Sequence, residues 1–259
     1  MEEISLRGGH RAAPVRVGDT VRRARTPYSA SIDSLLTHLH AADWDSCPKP
    51  LGYDTLDRQT LSFVEGDAAS GCPLPNHVWS IDSLRSFGRL LRSLHDATSA
   101  FVPAEGAVWQ RFPGAPIGEV MCHNDLGPWN TVFRGLRPYA LIDWDSAAPG
   151  TREWDLACAA WHWVPLWEDS RSVEHGFTDL NARPARLRAL CDAYGGQFDQ
   201  TLVDVVISRQ QAWVHYLQES AAAGDVVSGS LLAAGSAEGV TADILVVERL
   251  RDQLTSALA

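Results

Sequence analysis

The sequence predicts an α+β fold of two lobes, a small lobe built on an antiparallel sheet and a larger helical lobe. The first 66 residues read as short extended segments broken by turns. Glycine and proline then cluster in the stretch GDAASGCPLPNH. Beyond that cluster, apolar residues recur mostly at helical spacing. We therefore expect a sheet-bearing lobe at residues 1–66 and a helical lobe at residues 67–259.

Composition narrows the class of protein before any motif is considered. The chain has 259 residues, 45% of them hydrophobic and 21% charged, as in ordinary globular proteins. A formal net charge of −10 argues against a nucleic-acid binder and is compatible with a cationic small-molecule partner. The polar start MEEISLRGGH is unlike a secretory signal, and the most apolar run, LACAAWHWVPLW, is too short for a membrane span. We expect a cytoplasmic protein with no membrane partner.

The first lobe should contain a hairpin, a helix and a further strand. VRVGDTVRR (15–23) reads as two strands around a turn at Gly18 and Asp19. SIDSLLTHLHAA (31–42) has apolar residues at helical spacing, with Ser31 as a candidate cap. RQTLSFVEGD (58–67) begins as a strand and breaks at Gly66.

The second lobe should be mostly helical. In SIDSLRSFGRLLRSLHDATSAF (80–101), Leu84, Phe87, Leu91 and Leu94 fall on one helical face. Further helices are expected near 152–167, 183–194, 200–223 and 240–257. Between them, YALID (139–143) reads as a strand that ends at an aspartate.

The stretch MCHNDLGPWNTVF (121–133) contains the candidate catalytic residues. Asp125 is followed five residues later by Asn130, and Gly127 and Pro128 make the segment a loop. Asp143 follows at the end of the next strand. Such a set suits phosphoryl transfer: one aspartate orients and deprotonates an acceptor hydroxyl, while the asparagine and the other aspartate hold Mg²⁺. The alternatives are a solvated, capped loop or a metallohydrolase site, although no second His/Asp cluster has ligand spacing.

His123, Asp125, Asn130 and Asp143 resemble the catalytic-loop and metal-binding signature of the aminoglycoside phosphotransferase family, including proteins with trifolitoxin-immunity-like domains. The resemblance covers roughly residues 6–165 and implies the bilobal protein-kinase-like fold. It also implies that Asp125 is the catalytic base, that Asn130 and Asp143 ligate Mg²⁺, and that His123 packs behind the metal-binding segment.

The same resemblance implies a nucleotide site for ATP or GTP. RGGH (7–10), with Gly8 and Gly9, looks like the glycine-bearing nucleotide loop. TVRR looks like the strand with a phosphate-contacting base, so Arg23, or Arg22, would meet the phosphates. The backbone of Phe63, Val64 and Glu65 would contact the purine. In the family, a glutamate pairs with the basic side chain that contacts the phosphates. At that position this chain has Ile32, with Asp33 beside it. Either Asp33 substitutes, or the ion pair is absent.

The acceptor is less defined. Asp145 would join the metal shell or lie on the acceptor side, and Asp155 would brace the catalytic loop. Acceptor specificity is expected within residues 150–223, with Trp163, Trp167, Glu168, Asp169 and His215 as candidates. We expect transfer to a hydroxyl of a small molecule, aminoglycoside-like or an aminoalcohol, which would make the protein an antibiotic-resistance enzyme. The alternative is a kinase-shaped binding or immunity protein that sequesters a toxin or peptide.

Overall fold

The first lobe is built on a five-stranded antiparallel sheet, as predicted. The computed structural model describes residues 2–6 and 14–259, so Gly8 and Gly9 lie outside the described residues. The strands are β1 (Ile4–Ser5), β2 (Val15–Val17), β3 (Thr20–Arg23), β4 (Pro50–Tyr53) and β5 (Gln59–Ser62). Their order is β1-β2-β3-β5-β4. The hairpin predicted around Gly18 is confirmed as the β2–β3 pair. β1 and β4 were not predicted, because β1 has two residues and β4 contains proline and glycine.

Helix α1 (Ser29–Ala41) packs its apolar face on the core. The candidate cap Ser31 is wrong, because the helix begins two residues earlier. The Ser29 hydroxyl accepts the Thr26 N–H at 2.9 Å, whereas the Ser31 hydroxyl accepts the Val108 N–H at 2.9 Å. Ser31 therefore fastens the helix to a distant loop.

Two small sheets hold the loop that contains Asp125. β7 (Val120–Cys122) pairs with β10 (Ala148–Gly150), and β8 (Thr131–Arg134) pairs with both β6 (Asp67–Ala68) and β9 (Arg137–Leu141). The chain thus leaves the first sheet after β5 and enters another at β6. The connection passes Gly66, where a Cβ would lie 2.4 Å from the Phe133 carbonyl oxygen. The lobe boundary near residue 66 stays a prediction.

The rest of the described chain is helical. The helices are α2 (Ile81–Thr98), α3 (Arg152–Trp163), α4 (Asp169–Glu174), α5 (Arg183–Tyr194), α6 (Thr201–Ala222), α7 (Val226–Ala233) and α8 (Ser236–Leu258). α2 buries the predicted apolar face completely. α3 is shorter than predicted, since Pro165 cannot continue a helix. α7 was not predicted, and α8 begins at Ser236 rather than near residue 240.

No single helix among the described residues is long and apolar enough to cross a membrane. The bent pair α7–α8 meets the length and composition of a span when its two members are taken together.

Candidate active site

Asp125 lies on a loop that leaves β7 and is closed by its own backbone. The Asn130 side-chain Nδ2 donates to the Asp125 carbonyl at 3.0 Å, and the Asn130 backbone N–H donates to the Gly127 carbonyl at 3.0 Å. Gly127 leaves room for the Trp129 ring, because a Cβ there would lie 2.1 Å from the indole. The loop geometry thus depends on the glycine that the sequence places in it.

Asp143 stands at the end of β9 in a left-handed conformation, φ 62° and ψ 69°. The Ile142 N–H donates to the Asn130 carbonyl at 2.9 Å, which ties this segment to the loop that carries Asp125. Burial, and next the charge of Asp143, raise the pKa of Asp125 to about 7. Arg209 and hydrogen bonds from the Asn130 and Trp129 side chains act in the opposite direction. Three of the predicted site residues, Asp125, Asn130 and Asp143, are therefore brought together.

His123 is fully buried behind the loop. Its Nε2 lies 3.1 Å from the Ile142 carbonyl, and its Nδ1 accepts the Asp125 N–H at 3.3 Å. These partners assign the neutral tautomer with hydrogen on Nε2. Burial lowers the pKa of His123 to about 4, which agrees with that assignment. The histidine packs and orients the catalytic loop, as the resemblance implies.

Asp155 braces the loop from the first turn of α3. Its carboxylate accepts the backbone N–H groups of His123 and Asn124, both at 2.8 Å, and His95 Nε2 lies 3.1 Å away. Burial alone would raise its pKa, but the His95 hydrogen bond and the backbone donors hold the pKa of Asp155 below the ordinary value. A buried, ionised carboxylate thus serves the amides of the catalytic loop.

Arg23 points toward the catalytic segment, and Arg22 does not. Arg23 Nη1 lies 3.3 Å from Asp143 Oδ1, and Nη2 lies 2.8 Å from Asp145 Oδ1. Arg22 instead meets Asp54 at 3.4 Å, as strand alternation requires. Asp145, for which two roles stood open, is held by Arg23.

Among the described residues, Arg23 forms no direct ion pair with an acidic residue of α1. Instead, the side-chain amide of Gln59 links Arg23 to Asp33 through two hydrogen bonds. Arg23 Nε donates to Gln59 Oε1 at 2.7 Å, and Gln59 Nε2 donates to Asp33 Oδ1 at 2.5 Å. Asp33 also accepts the Tyr53 hydroxyl at 2.8 Å. The carboxylate of Asp33 therefore acts on Arg23 through the fully buried Gln59. Sequence reasoning missed Gln59 because it lies on a neighbouring strand.

The predicted hinge residues Phe63, Val64 and Glu65 directly follow β5. The Phe63 N–H already donates to the Asp19 carbonyl at 2.8 Å. The Arg16 guanidinium carbon lies 3.6 Å from the centre of the Phe63 ring, and Arg16 pairs with Glu65 at 3.1 Å. An arginine thus covers the Phe63 ring, and none of the three residues lines the cavity that contains Asp125.

A cavity of about 790 Å³ opens in front of Asp125, Asn130 and Asp143. None of the five candidate acceptor residues, from Trp163 to His215, lines it. Its other wall comes instead from side chains of the catalytic loop, α3, α4 and α6 to α8: Trp129, Trp161, His162, Arg171, Arg209, Trp213, Tyr216, Leu217, Val227, Leu231, Ser236 and Val240. A helical-face analysis could have found the α6 members, since residues 209, 213, 216 and 217 share one face.

Asn130 and Asp143 fit a Mg²⁺ ion by the chemistry of their donor atoms. In the described ranges 2–6 and 14–259, no group of three or more His, Cys, Asp or Glu side chains forms a metal cluster. Mg²⁺ needs no such cluster, because it commonly takes one or two carboxylates together with substrate phosphates and water. The Asn130 amide nitrogen is committed to the Asp125 carbonyl, so its oxygen is the remaining hard donor.

The sequence of this chain is similar to those of known proteins. Residues 104–190 match the phosphotransferase enzyme family. The trifolitoxin immunity protein of Rhizobium leguminosarum bv. trifolii is 38% identical over 199 residues, which are 75% of this chain and 74% of that protein.

Solved structures agree on the fold. A choline/ethanolamine kinase family protein from Mesorhizobium loti superposes with a TM-score of 0.64 at 17% identity, over 100% of this chain and 92% of that one. The GDP and kanamycin complex of APH(2")-IIia gives 0.58 at 16% identity, over 96% and 92%. The predicted kinase-like fold of two lobes is confirmed.

Proposed function

The chain belongs to the aminoglycoside phosphotransferase family, and we propose that it transfers the γ-phosphate of ATP or GTP to a hydroxyl of a small molecule. The observation that carries this proposal is the geometry that brings Asp125, Asn130 and Asp143 together at the wall of one cavity, where burial also raises the pKa of Asp125 to about 7. A general base works best when its pKa lies near the working pH. Such a nucleotide-dependent reaction implies a cytoplasmic location.

Asp125 has two tasks in this proposal. Its carboxylate accepts a hydrogen bond from the acceptor hydroxyl and so aims the oxygen at the phosphorus. As the new P–O bond forms, the hydroxyl proton moves to Asp125, and the nucleoside diphosphate leaves. Most of the rate gain in such reactions comes from positioning and charge stabilisation, so Asp125 must be held firmly. The Asp155 brace and the Asn130 contact supply that rigidity.

Asn130 and Asp143 would hold Mg²⁺, which neutralises the charge of the nucleotide phosphates when it is bound. Arg23 would contact those phosphates, since its guanidinium already lies beside Asp143 and suits bidentate phosphate binding. The purine would contact the backbone of Phe63, Val64 and Glu65, and Gly8 and Gly9 would cover the phosphates. APH(2")-IIia, which shares this fold, binds GDP.

Transfer of labelled γ-phosphate to a panel of hydroxyl compounds tests the proposal. We expect turnover with Mg²⁺ and ATP or GTP, and a loss of about 10²–10⁴-fold in Asp125→Ala. Glu105→Ala, which removes an exposed loop carboxylate, should leave turnover unchanged. Equal turnover in Asp125→Ala and wild type would refute the role of Asp125.

A second candidate function is immunity by sequestration, favoured by the 38% identity to the trifolitoxin immunity protein. The Arg23 pairs with Asp143 and Asp145 also suit a protein that binds without chemistry. The two functions can be separated by measuring how well the protein protects cells against the toxin. A sequestering protein protects equally well as Asp125→Ala, whereas a phosphotransferase loses protection with that substitution.

A further inference from the structure

We propose that the acceptor carries a carboxylate beside an apolar or aromatic body, and that Arg209 receives this carboxylate. The identity of the ligand as a phosphoryl acceptor rests on the proposed function. The carboxylate preference of the cavity does not, because it follows from the charges and rings that line it.

Arg209 is a buried cation with unused donors. Its side chain lines the cavity but is only 1% exposed. Nη2 donates to the Asn124 carbonyl at 2.6 Å, while Nε and Nη1 have no hydrogen-bond partner within the described part of the chain. The ion pairs of the described residues do not include Arg209. A buried charge with no counter-ion in direct contact is costly, so a bound anion would relieve that cost.

Supporting the catalytic loop does not by itself require an arginine. The contact with the Asn124 carbonyl needs one N–H, which a glutamine could provide. A guanidinium brings five donors in a fixed fork and a permanent charge, and this geometry matches a carboxylate. The two unpartnered nitrogens are the part of Arg209 that loop support leaves unexplained.

The charged residues that line the cavity fall into an acidic and a basic group. The acidic residues lining it are Asp125, Asp143 and Asp145, all at the proposed phosphoryl end. The other described residues that line the cavity include Arg171 and Arg209 and no carboxylate. Of these, Arg171 is paired with the buried Asp243 at 3.1 Å, whereas Arg209 has no ion pair among the described residues and acts on Asp125 only at longer range. A polycationic aminoglycoside would meet an arginine where it needs an acid.

Aromatic rings surround this charge. The Arg209 guanidinium carbon lies 4.1 Å from the centre of the Phe112 ring. Trp129, Trp161 and Trp213 also line the cavity. Indole and phenyl faces bind apolar bodies, and a volume of about 790 Å³ is that of a site for a drug-sized ligand. The lining therefore suits an amphiphilic acid, such as a peptide end with an apolar side chain.

Calorimetric titration of the full chain without nucleotide tests this inference, because no probe can then be phosphorylated. The probes are N-acetyltryptophan, its neutral amide and kanamycin. We expect the acid to bind about tenfold or more tightly than the amide, because a hydrogen-bonded charge pair is gained. Kanamycin should bind more weakly than either. Equal affinities for acid and amide, no binding of the acid, or tighter binding of kanamycin would overturn the inference.

Two variants assign the preference to Arg209. Arg209→Gln keeps a donor for the Asn124 carbonyl and removes the charge, so the preference for the acid should disappear. Arg186→Gln is the matched control: Arg186 is also buried and bonded to backbone carbonyls, but it lies outside this cavity. A preference that survives in Arg209→Gln would overturn the assignment. If that variant does not fold, the wild-type comparison of acid with amide still decides.

Failure of this inference is distinguishable from failure of the proposed function. Phosphate transfer to hydroxyl compounds without any preference for acids would support the proposed function and refute the role of Arg209. Binding of the acid through Arg209, without phosphate transfer to any hydroxy acid, would support the role of Arg209 and refute the proposed function.

Discussion

Replacing Asp125 by asparagine should stabilise the protein, and the gain should grow with pH. Burial, with the charge of Asp143, raises the pKa of Asp125 from 3.8 to about 7. The folded state therefore holds this proton more tightly than the unfolded state. The resulting stability is present at low pH and is lost as the pH rises from about 4 to about 7. Asparagine does not ionise and avoids that loss.

The size of the effect follows from the width of this pH window. Each pH unit between the two pKa values is worth about 1.4 kcal/mol, so the full window gives roughly 4 kcal/mol. Asp125 lies at the cavity wall and is partly exposed, so solvent screening reduces this figure. We expect a gain of about 2 kcal/mol at pH 8, which is a rise in Tm of roughly 4–8 °C for a chain of this size.

Thermal unfolding of wild type and Asp125→Asn at pH 5 and pH 8 measures the gain. The increase in Tm should be roughly two and a half times as large at pH 8 as at pH 5, since most of the window lies between them. Glu105→Gln, at an exposed loop position, should show no difference between the two pH values. An asparagine variant no more stable than wild type at pH 8, or a gain independent of pH, would refute the raised pKa.

Three further substitutions, one of them with a control variant, test the parts that hold the site. Asp155→Asn should lower the free energy of unfolding by about 2–3 kcal/mol in urea, because at least one buried donor then faces an NH₂ group; a loss below about 0.5 kcal/mol would contradict the brace. Gln59→Leu should raise the Kd for MgATP about tenfold, since Arg23 loses its link to α1. Tyr53→Phe, which removes only the other bond to Asp33, should leave that Kd within about twofold, and equal effects would contradict the link through Gln59. Gly127→Ala should displace the Trp129 ring, lower turnover about tenfold and shift the tryptophan fluorescence; unchanged emission and turnover would show that the loop tolerates a Cβ.

The proximity of Asp125 and Asn130 could be predicted from sequence because it depends on local spacing. Asp125 and Asn130 lie five residues apart, and Gly127 and Pro128 between them exclude a helix. Asp143 follows the short apolar segment YALI, which reads as a strand in the sequence. In these cases, residue spacing along the chain fixes the relation in space.

The acceptor wall could not be predicted in this way, because it depends on packing between distant segments. Arg209 reaches the Asn124 carbonyl across 85 positions, and Arg23 reaches Asp143 across 120. Gln59 enters the site only because β3 and β5 are neighbours in the sheet, so that Arg23 lies opposite Gln59. Trp163 and Trp167, two of the acceptor candidates, are buried in the core of the fold. Which tryptophan faces a cavity is decided by helix packing.

Thermal unfolding with and without MgATP and MgGTP, in wild type and Asp143→Asn, tests the central claim most directly. A nucleotide at 100 times its Kd adds about 2.7 kcal/mol to stability, which is a rise in Tm of several degrees. We predict such a rise in wild type for at least one nucleotide, dependent on Mg²⁺ and lost in Asp143→Asn. The absence of any rise in a well-folded sample, or an equal rise in the variant, would contradict a Mg²⁺-nucleotide site at Asp143.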